Sequence, residues 1–140
     1  MKKILTAIII LMTMTGTALA DVAACKSALM PLPESVVAQA RAAGQTVTSE
    51  DEHQFITEFT SVCDCVWTGV DLAYPNPTRS ELSDLYLIEH MWMPYVANAM
   101  IAGRQPGDSE RQLFITTLDS PAVFQAYMMK YTLCTLGGAR

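Results

Sequence analysis

Apolar residues recur through most of this chain at three- and four-residue intervals, the spacing of one helix face. No useful stretch alternates with the two-residue period of a strand. The strongest run is Phe55, Ile56, Phe59, Val62, Cys63, Val66 and Trp67, which predicts one helix opening at Ser49 and ending near Gly69. A second stripe, Leu82, Leu85, Tyr86, Glu89, Met93, Val96, Ala97 and Met100, predicts a helix closing at Gly103. Pro94 lies inside it. Because proline lacks a backbone donor and its ring crowds the carbonyl four residues earlier, that of His90, a kink or a break is expected there. Phe124, Tyr127, Met128, Tyr131 and Cys134 mark a last helix, opened by Asp119 or Ser120 with Pro121 in its first turn and closed by Gly137-Gly138.

Weaker signals complete the series. Leu113, Phe114 and Leu118 outline a short helix, and Glu34 to Ala43 outline another with Gly44 as its left-handed terminator. Val22 to Met30 reads as a short helix halted by Pro31 and Pro33, which impose an extended elbow. Capping boxes are expected at Ser49 with Glu52, Thr78 with Glu81, and Ser109 with Gln112. Residues 71–78 and 104–108 read as loops, the first containing Pro75, Asn76 and Pro77. The fold class is all-α: a small bundle of about five helices.

The first twenty residues follow another pattern. Lys2 and Lys3, an apolar run from Ile4 to Met12, and the exit Ala18-Leu19-Ala20 compose a secretory leader of bacterial style, with cleavage expected after Ala20. Residues 21–140 are then the mature chain, long enough for one domain with one core. No stretch of the mature chain approaches the roughly 20 apolar residues needed to span a bilayer. The expected location is the periplasm. Val22-Ala23-Ala24-Cys25 also has the shape of a lipoprotein processing site, but a lipid on Cys25 would leave an odd thiol among the other three cysteines, and that reading ranks second.

Charge narrows the partners. The 9 basic and 14 acidic residues give −5, and loss of Lys2 and Lys3 with the leader leaves 7 against 14, a charge of −7. An acidic surface with scattered cations disfavours nucleic acid and anionic membrane alike.

In an oxidising compartment Cys25, Cys63, Cys65 and Cys134 are expected to form two disulfides. Cys63 and Cys65 lie about 200° apart on a helix and so face different neighbours. Cys63 shares the apolar stripe of its helix and Cys134 that of the last helix, so the expected pairs are Cys63–Cys134 and Cys25–Cys65. A redox role for Cys63-Asp64-Cys65 is disfavoured, because Asp64 raises rather than lowers a neighbouring thiol pKa.

Candidate chemistry is sparse. There are two histidines, His53 and His90, and no nucleophile elbow, phosphate loop or metalloprotease motif, so neither a catalytic residue nor a cofactor is assigned. His53 sits in a polar first turn and reads as solvated. His90, Met91 and Met93 form a soft ligand set suited to Cu(I), which converges only if Pro94 unwinds the turn. Trp92, Tyr95 and Met129 are the residues expected to compose a partner-binding patch if exposed together. The leading expectation is a periplasmic, non-catalytic protein-binding domain. Within that class an inhibitor or immunity-type protein for a basic enzyme ranks ahead of an envelope or secretion accessory. Copper handling through His90, Met91 and Met93 is the alternative.

Overall fold

A computed structural model describes residues 20–137, so the leader reading of residues 1–19 lies outside the described residues. Among those described, every regular element is helical: α1 Val22–Leu29, α2 Pro31–Ala42, α3 Ser49–Thr60, α4 Val62–Ala73, α5 Arg79–Leu87, a π-helical turn Ile88–Trp92, α6 Met93–Ile101, α7 Asp108–Ile115 and α8 Pro121–Thr135. Met30 and Ser61 keep right-handed helical backbone at the α1–α2 and α3–α4 joints, and the π turn joins α5 to α6. The segments therefore form five continuous helical stretches, in keeping with the expected bundle of about five helices, although the first joins two segments that the sequence reading separates.

The caps decide where the rods start. Thr78 and Glu81 form the expected box: the Glu81 carboxylate accepts from the Thr78 N–H at 2.7 Å, and the Thr78 hydroxyl accepts from the Glu81 N–H at 3.2 Å. The other two helix starts are capped upstream of the expected positions, at α3 by a full box and at α7 by its Glu half alone. Thr48, not Ser49, caps α3 with Asp51 as its reciprocal partner, and these contacts hold the Asp51 carboxyl below its ordinary range. At α7 Glu110 reaches back to the Gly107 N–H at 2.6 Å, and Ser109 lies inside the helix. Pro31 and Pro33 do not make an extended elbow. They occupy the first turn of α2, a position that suits the fixed backbone angle of proline.

Gly69 does not end the helix either; α4 continues to Ala73. Its role is close approach. A Cβ at Gly69 would lie 2.6 Å from the Lys130 Cδ, so the Lys130 side chain of α8 lies across α4 at this glycine. A shallow groove along that contact is lined by Cys65, Gly69, Leu72, Lys130 and Cys134, which sets Cys65 on the side facing α8.

That placement corrects the expected disulfides. The pairs are Cys25–Cys63 and Cys65–Cys134, with Cα separations of 5.8 and 5.9 Å, rather than Cys63–Cys134 and Cys25–Cys65. The two cysteines of α4 do face different neighbours, but α8 follows the Cys65–Gly69–Leu72 line, one residue every turn. This leaves Cys63, wholly buried, to α1. Both bridges close onto one core built from Leu29, Val66, Trp67, Leu85, Ile88, Met93, Phe124 and Tyr127 among others.

Candidate functional site

Glu89 projects into this core. It belongs to the apolar stripe of the α5–α6 rod and is 1% exposed. An ionisable group there is costly unless it is hydrogen-bonded. Two neighbours supply the bonds, both to one oxygen: the Trp67 indole N–H from α4 donates to Oε2 at 2.9 Å and the Tyr127 hydroxyl from α8 donates at 3.0 Å. Oε1 is buried with no partner.

Burial is the largest influence on this carboxyl and pushes its pKa up to about 7. The Trp67 and Tyr127 bonds oppose the shift, and so does the nearby Asp21 backbone amide, which favours the ionised form without closing a hydrogen bond of good geometry. Burial, reinforced by the neighbouring Glu89 carboxylate, moves the Tyr127 phenol far above its ordinary range.

The π turn shapes this region. The Met93 N–H bonds the Ile88 carbonyl five residues back, and the wider ladder accommodates Pro94 at the start of α6 without breaking the rod. Beside it opens a cavity of about 370 Å³, lined by Asp21, Ala24, Ser27, Glu89, His90 and Asn98 among others. Asp21 caps α1 by accepting from the Ala24 N–H at 2.8 Å.

His90, Met91 and Met93 do not share a surface. Met93 is enclosed in the core, Met91 is 58% exposed, and His90 is exposed and stacks on Tyr86 with ring centroids 4.2 Å apart. Among the described residues no three His, Cys, Asp or Glu side chains are grouped to hold a metal ion. His53 lies in the first turns of α3, away from this cavity.

Trp92, Tyr95 and Met129 are not exposed together. Trp92 and Tyr95 pack together, with centroids 5.7 Å apart, whereas Met129 is 62% exposed and does not line the same groove. Trp92 itself is buried. It stacks on Phe114 at 5.2 Å and meets Phe124 edge-on at 5.6 Å. Its indole N–H is buried without an acceptor. Above this aromatic cluster lies a largely apolar groove of about 460 Å³ between α6 and α7, walled by Met91, Trp92, Tyr95, Leu113 and Phe114, with Glu110 at its edge. Leu113, 70% exposed, is its most open apolar member. The Gly107 N–H, helped by the Tyr95 hydroxyl, keeps the Glu110 carboxyl below its ordinary range and therefore charged. Arg104 covers the Tyr95 ring at 5.9 Å.

The groove was partly legible from Trp92 and Tyr95; Glu89 was not singled out, although a glutamate at a stripe position was its signal. Comparison with protein-family models, with curated proteins and with solved structures gave no match.

Proposed function

We propose that the protein is exported to the periplasm, released from its leader after Ala20, and acts there without turnover by seating a basic protein on the groove between α6 and α7. The role is of the inhibitor or immunity type. The observation that carries this reading is an apolar groove, with Met91 and Leu113 at its mouth, beside a buried Trp92 whose N–H has no acceptor in the fold. A partner's apolar anchor would cover Leu113 and Met91 in the manner of an interface core. Charge supports a basic partner: Glu110 borders the groove, and the chain without its leader carries −7.

Export is supported by both disulfides, which use all four cysteines and persist in oxidising compartments. Among the described residues no helix is long and apolar enough to cross a membrane. Cys25 is consumed by its bridge to Cys63, which removes the sulfur a lipid anchor would need.

Crosslinking in native periplasm followed by affinity capture tests the reading. The expected result is one stoichiometric basic protein held by the wild type and lost with Leu113→Glu, a change at an exposed position that leaves the fold intact. Recovery of no stoichiometric partner, or equal recovery by the variant, refutes the groove as the binding surface.

A further inference from the structure

We propose that the α-ammonium group created on Asp21 when residues 1–20 are removed is the missing partner of Glu89, so that processing installs a buried ion pair in the fold. The inference rests on the export reading, in which cleavage follows Ala20, but concerns what that cleavage does inside the molecule.

Three features point to it. Glu89 Oε1 is buried and unpartnered while Oε2 takes two donors, so the carboxylate is built to accept more than the helices supply. Asp21 lines the cavity beside Glu89, and its backbone nitrogen already faces that carboxylate. The Asp21 carboxylate is occupied as the cap of α1 and its carbonyl as acceptor from Cys25 at 3.0 Å, which fixes the residue in place. Hydrolysis of the Ala20–Asp21 peptide bond by the export machinery breaks the C–N bond with one water. The water oxygen leaves on the Ala20 carboxylate and its two protons go to this nitrogen, which stays at the head of α1. The nitrogen changes from an amide with one proton and no charge into an ammonium with three protons and a full positive charge.

Other charges do not take the role. Lys26 of α1 pairs with Asp64 at 3.1 Å, and Asp84 of α5 accepts the Asp119 and Ser120 N–H groups at the start of α8. The remaining titratable groups around Glu89 are the Asp21 carboxylate, His90 at the cavity wall, and Tyr127 with Tyr131 on α8. None of these carries the fixed positive charge that an α-ammonium brings. The fold thereby distinguishes mature chain from precursor: at neutral pH only the processed form has a cation against the buried carboxylate.

The test compares a chain beginning at Asp21, freed by a sequence-specific protease, with one carrying Gly-Ser-Gly-Ser before Ala20, each in the wild-type and the Glu89→Gln background. The α-amino pKa is read by pH-dependent competitive labelling and mass spectrometry, and the Glu89 carboxyl by carbon NMR. The expected result is that the Asp21 α-amino group holds its proton about tenfold more tightly in the wild-type background than in Glu89→Gln, a difference of one pKa unit. The Glu89 carboxyl should titrate well below its value in the extended chain. Thermal stability near neutral pH should drop on extension only when Glu89 is present. An α-amino group that titrates alike in both backgrounds overturns the proposal. A native N-terminus whose mass places it elsewhere than Asp21 overturns both the cleavage assignment and this pairing. Labelling of the protease-freed chain separates the two failures.

Discussion

In a chain whose Asp21 remains joined to Ala20, Glu89 should make stability fall as pH rises through the neutral range. The folded carboxyl titrates at about 7 against an ordinary value of 4.5. Below pH 4.5 it is protonated in both states, and burial carries no ionic penalty. Between 4.5 and 7 the unfolded chain releases the proton while the folded chain retains it, so folding is progressively opposed; above 7 the loss is complete. At about 1.4 kcal/mol per tenfold change in proton affinity, the shift corresponds to about 3 kcal/mol. That is a large fraction of the ~5–15 kcal/mol typical of a domain. The assay is urea unfolding followed by tryptophan fluorescence from about pH 4.5 to 8 on the extended chain and on its Glu89→Gln counterpart. Glutamine can accept the Trp67 and Tyr127 hydrogen bonds without titrating, and differencing removes the contributions of every other carboxyl. The stability difference between the two chains should move by about 3 kcal/mol in favour of the glutamine variant across that range. A difference that stays flat would refute the account of Glu89 as a carboxyl kept protonated by burial.

Further outcomes follow from the same geometry. Thr48→Ala and Thr78→Ala should each cost about 1 kcal/mol in chemical denaturation, whereas Ser49→Ala should stay within about 0.5 kcal/mol, since Ser49 does not cap α3. Replacing Cys65 and Cys134 together by alanine opens a bridge spanning 69 residues, with an expected loss of about 4 kcal/mol on the chain-entropy model; non-reducing peptide mapping of the wild type should find Cys25 joined to Cys63. Asp84→Ala strips the Asp119 and Ser120 N–H groups of their acceptor at the start of α8 and should cost about 2–3 kcal/mol, read from the denaturation midpoint.

The helices were legible because their signals are local. Periodicity, Thr78 with Glu81, and Pro121 at the head of α8 need no knowledge of what lies across the core, and the structure places them as the pattern implied. Ser49 and Ser109 misled because each has a competing cap one or two residues upstream, and the choice turns on where the helix can begin against its neighbours. The disulfide pairs failed for a longer-range reason. The stripe containing Cys63 shows which side of α4 is apolar, but α8 approaches along the line of Cys65, Gly69 and Leu72, and a glycine read locally signals a helix end rather than a contact with Lys130 of another helix. Trp92 was legible as an unusual aromatic, yet its place beneath the groove depends on Phe114 and Phe124 arriving from two other helices.

Glu89 and Pro94 illustrate how one departure from regularity can serve another. A proline at position 94 would be expected to break the rod, and the chain responds by widening one turn into a π ladder from Ile88 to Trp92. That turn contains Glu89. The proline thus sits five residues beyond a carboxylate that faces Trp67 on α4, Tyr127 on α8 and the start of α1, three elements that the two disulfides also tie together. A buried carboxylate is poor material for raw stability, since desolvation opposes it and only matched partners offset the cost. Its presence at the meeting point of three crosslinked helices is better explained by the specificity it imposes: two donors orient it, and on the pairing proposed above its remaining oxygen would take the α-ammonium group that cleavage before Asp21 would create. Replacement by leucine should accordingly remove the dependence of stability on the N-terminus while leaving the helix content unchanged, and thermal melts of the two chain lengths followed by circular dichroism are sufficient to decide it.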